Sequence, residues 1–156
     1  MEIIIRKLKD FSEAPMDLLL EADPFEEKIG KYIKTSDIYI AELNNTAAAV
    51  MVLTPISINS MELMNLAVDT GARGKGIAKK LIAYAEKVCA AQKMDTLVVG
   101  TGNSSLDQLA LYQKCGFRMK EILEDFFIKH YNEPIFENGI QCRDMVRLNL
   151  KIKRDS

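Results

Sequence analysis

The stretch that decides the fold reads Leu66-Ala67-Val68-Asp69-Thr70-Gly71-Ala72-Arg73-Gly74-Lys75-Gly76-Ile77-Ala78-Lys79-Lys80-Leu81. An apolar strand pattern ends at Val68, a glycine-rich turn follows, and a helical period begins at Ile77. The first amide groups of a helix lack partners within it and lie at the positive end of its dipole. Because Gly74 and Gly76 leave the backbone open to a phosphate, this junction predicts an anion site.

Cations are concentrated at the same junction, where no acid accompanies Arg73, Lys75, Lys79 and Lys80. The helix dipole disfavours each cation in a first turn by about 0.3–1 kcal/mol, so a bound polyanion would account for them. A solvated basic helix start is the alternative. Two nucleotide motifs are excluded by spacing: the lysine and hydroxyl of a Walker A loop are missing after the glycines, and Lys79 replaces the third glycine of a dinucleotide fingerprint.

The composition is that of an ordinary globular chain, with 156 residues, 48% apolar and 28% charged. We therefore expect a single domain over residues 1–156. A net charge of −1 argues against a general nucleic-acid binder. The longest apolar run, 47–53, is too short to span a bilayer, and residues 1–6 do not read as a targeting peptide. A cytoplasmic protein without a membrane or nucleic-acid partner is expected.

Cysteine and histidine usage excludes further kinds of site. The three cysteines, Cys89, Cys115 and Cys142, form no C-x-x-C pair and are read as free thiols. The single histidine, His130, excludes a His-rich zinc site and is read as a solvated side chain. No metal is expected.

Periodicity and turn residues predict an α/β domain with a mixed sheet. The Asn44-Asn45 pair predicts a hairpin turn, Ser104 or Ser105 a helix N-cap, and Gly116 a helix end. Strands are predicted over 2–8, 37–43, 46–56, 61–68, 96–100, 118–127 and 141–152, and helices over 16–20, 25–32, from 77 onward and up to 114.

Two motifs together resemble the GNAT superfamily of acyl-CoA N-acyltransferases. The run from Arg73 to Ala78 reads R-x-x-G-x-A, which resembles the pyrophosphate loop of that family. Asn103 followed by 110–117 (ALYQKCGF) resembles its second signature, and 65–68 resembles its bulged strand. The resemblance implies the GNAT fold, with a mixed, mostly antiparallel central sheet of about seven strands flanked by about four helices. It places the cofactor cleft between the two central parallel strands.

The resemblance also implies acetyl-CoA as the acyl donor and co-substrate. The backbone N–H of Leu66 would donate to the thioester oxygen. Asn103 would contact the pantetheine arm, with a turn or capping role as the alternative. The residues that the resemblance assigns to the cofactor are Leu66, Ala67, Val68, Arg73, Gly74, Lys75, Gly76, Ile77, Ala78, Asn103 and Tyr112.

Acyl transfer to an amine needs a proton acceptor and a proton donor. A lysine-like amine with a pKa of about 10.4 is neutral to roughly one part in 2,500 at pH 7. Glu62 matches the glutamate of histone-acetylating relatives and is the predicted base, directly or through water, with a solvent-facing strand residue as the alternative. Tyr112 matches the tyrosine that many relatives use to protonate the departing sulfur; a packed helix residue is the alternative.

The acceptor is bound in this family by the early helices and by the segment between the last two strands. Here that segment, 125–140, is aromatic and carries Asp125, Glu133 and Glu137. Such a lining suits a cationic amine, although core aromatics and solvated acids would give the same pattern. The sequence leaves open whether the acceptor is a small molecule, a peptide terminus or a protein lysine. It also leaves open whether the protein forms a homodimer.

Two functions follow from the resemblance. The first is an acetyl-CoA-dependent N-acetyltransferase in which a primary amine attacks the thioester directly. The second is a non-catalytic acyl-CoA-binding regulatory module with the same fold. Because Tyr112 and the loop are both present, the enzyme is favoured.

Overall fold

The computed structural model describes residues 2–153; residue 1 and residues 154–156, the ends of the predicted single domain, lie outside the described residues. In chain order the strands are β1 (Ile3–Lys7), β2 (Asp37–Leu43), β3 (Thr46–Pro55), β4 (Ser60–Val68), β5 (Thr96–Gly102), β6 (Arg118–Leu123), β7 (Phe136–Glu137), β8 (Ile140–Gln141) and β9 (Met145–Lys151). The α-helices are α1 (Met16–Ala22), α2 (Glu26–Tyr32), α3 (Ile77–Ala91), α4 (Leu106–Lys114) and α5 (Phe126–His130).

A mixed sheet forms the centre of the described part of the chain. Its seven strands follow the order β1-β2-β3-β4-β5-β9-β6, and β7 and β8 form a separate hairpin. All neighbours in the large sheet are antiparallel except β4 and β5. This confirms the predicted α/β class and the predicted sheet.

The parallel strands β4 and β5 separate halfway along their length. Their pairing covers only Ser60–Leu63 on β4. Next to this point Met64 is an extra residue on β4, because Leu63 and Asn65 face successive residues of β3. Such a bulge bends its strand. From Met64 onward the edge of β4 is no longer paired with β5, which opens the predicted cleft between the central strands.

Apolar side chains cover both faces of the sheet. Along β3, Val50 and Val52 pack with α1 and α2 on one face, whereas Met51 and Leu53 pack with α3 on the other. All four are fully buried. Strands buried on both faces read as continuous apolar runs, which explains the sequence of β3.

Local signals place some elements correctly and others wrongly. Asn44 and Asn45 adopt φ of 54° and 64°, which confirms the predicted hairpin turn. Ser105 takes the N-cap position of α4, but its hydroxyl makes no cap bond. The hydroxyls of Ser104 and Ser105 instead donate to Glu137 Oε1 at 3.1 and 2.8 Å. The predicted cap position at Ser105 is therefore confirmed, whereas the capping hydrogen bond, in which the hydroxyl would accept a helix N–H, is absent.

The chain between residues 118 and 152 also differs from its prediction. The strand expected over 118–127 ends at Leu123, and Asp125, with φ of 56°, begins α5 instead. The last strand begins at Met145 rather than at Gln141, because Gln141 pairs with Phe136 in the β7–β8 hairpin.

Candidate active site

The turn before α3 is shaped to receive an anion. Gly74 and Gly76 have φ of 79° and 76°, a region that favours glycine, and a Cβ at either position would meet nothing within 4 Å. Within the described residues, the first turn of α3 has no side-chain cap and no acid. The 15-residue helix therefore directs its partly positive end and its free amide groups to the outside.

A groove of about 390 Å³ starts at this turn and follows the open edge of β4. Its described lining consists of Glu21, Ala22, Leu66, Ala67, Val68, Arg73, Gly74, Ala78, Asp107, Gln108 and Leu111. Gln108 Oε1 is buried and has no hydrogen-bond partner among the described residues. Apolar walls with a spare carbonyl acceptor fit an amide-containing chain such as the pantetheine arm of CoA, and the turn fits the pyrophosphate of CoA.

Most of the predicted cofactor residues come together around this groove. Leu66, Ala67, Val68, Arg73, Gly74 and Ala78 line it. Lys75 and Gly76 are exposed beside it, whereas the side chain of Ile77 is buried in the core. Arg73 donates through Nε to the Val68 carbonyl at 3.1 Å, and its Nη2 lies 3.5 Å from Glu21 Oε2.

Asn103 is not part of the described lining of this groove. Asn103 Oδ1 accepts the N–H groups of Arg143 and Asp144 at 2.8 and 2.9 Å. Its Nδ2 donates to the Gln141 carbonyl at 3.1 Å. The side chain thus holds the loop before β9, and a contact with pantetheine stays a prediction.

A second cleft of about 530 Å³ adjoins the groove, since Glu21 and Ala22 line both. Its described aromatic lining is Phe25, Tyr32, Phe126, Phe127 and Tyr131; its carboxylates are Glu21, Asp23, Glu62 and Glu137; its cations are Lys28 and Arg147. Thus acids outnumber bases in the described lining. The cleft reaches β5 at Gly100–Gly102, beside the point where β4 and β5 separate.

Glu62 lies in this cleft, as the predicted base should. Its side chain is 17% exposed, and its Oε1 is 3.7 Å from Arg147 Nη2. Burial raises the pKa of Glu62, and the positive charge of Arg147 opposes that shift. A carboxylate with a raised pKa is a stronger proton acceptor.

Tyr112 lies on α4 inside the core and lines neither cleft as described. It is 5% exposed, and its ring packs against Phe117 with centroids 5.4 Å apart. Burial raises the pKa of Tyr112, so the phenol stays protonated near neutral pH. The structure therefore shows the packing role, and the proton transfer stays a prediction.

The predicted acceptor segment contributes only part of its acids. Glu137 reaches the cleft, whereas Asp125 pairs with Arg143 at 3.4 Å. The aromatic rings are also already in contact with a cation of the protein, because Lys28 Nζ lies 3.6 Å from the centroid of Tyr131. Tyr131 in turn stacks on Phe127.

Sequence reasoning missed three polar residues beside the cleft: Asp23, Tyr32 and Asn65. Asn65 Nδ2 donates to the Tyr32 hydroxyl at 2.9 Å, and that hydroxyl donates to Asp23 Oδ2 at 3.4 Å. Burial raises the pKa of Asp23, against the opposing effects of the Phe25 N–H, the Tyr32 hydroxyl and Lys28. These residues lie apart in the sequence, so no local sequence pattern predicts that they contact one another.

Residues 2–153 contain neither a membrane-spanning helix nor a metal-binding cluster. No helix there has the length and apolar character needed to cross a membrane. That range also contains no cluster of three or more His, Cys, Asp or Glu side chains arranged to hold a metal ion.

Comparison with known proteins identifies the family. The sequence model of the acetyltransferase (GNAT) family matches residues 5–117. YvbK of Bacillus subtilis (strain 168), described as an uncharacterized N-acetyltransferase, is 46% identical over 136 residues, which are 87% of this chain and 88% of YvbK.

Solved structures agree with that match. An IAA acetyltransferase from Bacillus cereus ATCC 14579 is 45% identical with a TM-score of 0.91, over 96% of this chain and 99% of that one. A GNAT family acetyltransferase from Elizabethkingia anophelis, crystallised with acetyl-CoA bound, is 40% identical with a TM-score of 0.92. The match covers 96% of this chain and 97% of that one. The chain therefore belongs to the GNAT family of acetyltransferases and uses acetyl-CoA as its co-substrate.

Proposed function

We propose that this acetyltransferase transfers the acetyl group of acetyl-CoA directly to the primary amine of a small cationic molecule. The observation that carries the proposal is the acid-rich cleft adjoining the groove at the separation of β4 and β5. Its volume of about 530 Å³ lies in the range of about 300–1,000 Å³ typical of small-molecule sites. An excess of carboxylates favours an ammonium ion over an anion.

Donor binding rests on the groove. The amide groups at the start of α3, together with Arg73 and Lys75, would bind the pyrophosphate. The backbone of 66–68 would hold the pantetheine arm, with Asn103 at its side. The Leu66 N–H would then face the thioester oxygen and stabilise the negative charge that develops there.

Proton removal from the amine falls to Glu62, directly or through one water. The neutral nitrogen then attacks the thioester carbon, an N–C bond forms, and the C–S bond breaks with its electrons remaining on sulfur. Tyr112 donates a proton to that sulfur as the bond breaks. Glu62 passes the first proton to solvent and then accepts the second proton that the nitrogen loses as the amide forms, which also goes to solvent. The tyrosinate takes one proton back from solvent, so each turnover releases one proton in total.

A panel of acceptors tests the proposal. Release of free CoA thiol from acetyl-CoA is followed with 2-phenylethylamine, spermidine, a lysine-containing peptide, a peptide with a free N-terminus, and IAA, the compound in the name of the B. cereus relative. The N-acetylated form of each amine serves as its matched control. We expect the small cationic amines to stimulate release most. Release with IAA or peptides alone would contradict the proposed acceptor class.

A further inference from the structure

A chain of hydrogen bonds links the centre of the sheet to the wall of the second cleft, which is the proposed binding site of the amine and is called the acceptor cleft below. Asn65 follows the bulge of β4 and is 4% exposed. Its Nδ2 donates to the Leu19 carbonyl at 3.0 Å and to the Tyr32 hydroxyl at 2.9 Å. Tyr32 donates onward to Asp23 Oδ2 at 3.4 Å, and Asp23 Oδ1 accepts the Phe25 N–H at 3.3 Å.

A purely structural role does not explain Asn65, because burying its side-chain amide costs free energy. Asn65 Oδ1 is buried and has no partner among residues 2–153. Buried polar atoms are nearly always satisfied, so each exception requires an explanation. An apolar residue would fill the same place between β4 and α1 without that penalty. Holding Tyr32, and through it Asp23, in one orientation provides the explanation.

The four acids of the cleft differ in their partners and in their exposure. Glu21 pairs with Arg73, and Glu62 faces Arg147. Glu137 accepts two serine hydroxyls. Glu137 is exposed, whereas Asp23 is half-buried. Asp23 also accepts only from neutral donors; no ion pair within 4 Å is found for it among the described residues, although the positive charge of Lys28 acts on it. An ionised carboxylate offers about four acceptor positions, so the two bonds leave capacity for an ammonium group.

We propose that Asp23 is the specificity-determining residue that receives the amine group of the acceptor, and that Tyr32 and Asn65 are positioning residues for its carboxylate. The inference rests on the proposed amine acceptor. Asp23 binds the cationic form as it enters and keeps a hydrogen bond to the nitrogen after Glu62 has taken the proton. Lys28 already lies over the rings of Phe25 and Tyr131, so at these two rings the carboxylate, rather than a cation–π contact, is left to select the charge.

The test compares two amines that differ in charge. At neutral pH 2-phenylethylamine is a cation, whereas aniline is neutral. Asp23→Asn keeps the shape but removes the charge; its one oxygen can still accept the Phe25 N–H, whereas its amide nitrogen would donate to the Tyr32 hydroxyl instead of accepting from it. We expect it to raise KM for 2-phenylethylamine about 10- to 100-fold. KM for aniline and for acetyl-CoA should not change.

Further variants separate positioning from folding. Asp23→Glu should restore part of the affinity, and Tyr32→Phe should raise the same KM by a smaller factor. Asp17→Asn is the matched control, since Asp17 is an exposed acid of α1 outside the cleft lining. An equal loss with aniline would show a structural role and overturn the inference.

Calorimetry with CoA present separates this inference from the proposed function. Binding of 2-phenylethylamine that depends on Asp23, without thiol release, would refute the proposed function and leave the inference standing. Thiol release together with an unchanged KM for 2-phenylethylamine in Asp23→Asn would overturn the inference and leave the proposed function standing. Absence of binding by the unaltered protein would overturn the inference.

Discussion

At the scale of single residues, burial has opposite consequences for the two proposed proton-transfer groups. It raises the pKa of both Glu62 and Tyr112. For the carboxylate this is an advantage, because a stronger base accepts a proton from an ammonium ion more readily. For the phenol it makes full transfer to a free thiolate more uphill. Tyr112 is therefore expected to donate its proton only while the C–S bond is breaking.

Tyr112→Phe tests that role. The ring and its packing against Phe117 are kept, so stability should change little. If the hydroxyl acts in the transition state, single-turnover rates should fall about 10²- to 10⁴-fold while acetyl-CoA affinity stays constant. A loss confined to acetyl-CoA affinity would instead mark Tyr112 as a binding residue.

Arg147→Met tests Glu62 through the pH dependence of kcat/KM. Protonated Glu62 cannot act as a base, so the rate should rise with pH through its pKa. Because the charge of Arg147 lowers that pKa, removing it should move the rise to higher pH. Glu62→Gln should remove the rise altogether. Arg143→Met, which breaks an exposed pair with Asp125, is the control and should leave the profile in place. A profile that is identical in all three variants would exclude Glu62 as the base.

At the scale of elements, the start of α3 is the proposed site of donor binding. Gly76→Glu introduces a side chain and a negative charge where the pyrophosphate is expected, so calorimetry should show no acetyl-CoA binding. Gly139→Glu is the matched control, because Gly139 also has a positive φ, 73°, and open space around it. Its backbone strain is similar, but it lies in the β7–β8 turn. Equal affinity in both folded variants would contradict the assignment of the loop.

The same scale shows what the sequence could predict. The hairpin at Asn44-Asn45 and the start of α3 depend on neighbouring residues, and both were predicted correctly. The cap position at Ser105 was also predicted correctly, but the hydrogen bond of its hydroxyl to Glu137, 32 residues away, was not. In the acceptor cleft the aromatic segment was visible in the sequence. The proposed role of Asp23 was not visible in the sequence, because it depends on Tyr32 and Asn65, which only the fold brings together.

At the scale of the whole molecule, the sheet separates two apolar layers that hold the clefts in place. Leu81 of α3 is fully buried in the larger layer, whereas Leu106 of α4 is 47% exposed. Leu81→Ala should lower the free energy of unfolding by about 2–5 kcal/mol, through lost burial and a cavity. Leu106→Ala should change it by less than about 0.5 kcal/mol. Urea unfolding measures both, and equal losses would contradict this account of the core.

The central claim is that the acetyl group passes directly from CoA to an amine. The most direct measurement follows an isotope-labelled acetyl group through a single turnover with 2-phenylethylamine. The account predicts label in the N-acetyl product, free CoA thiol in equal amount, and no label on acid-precipitated protein. Label that remains on CoA although acetyl-CoA is bound, or that appears on the protein before the product, would contradict it.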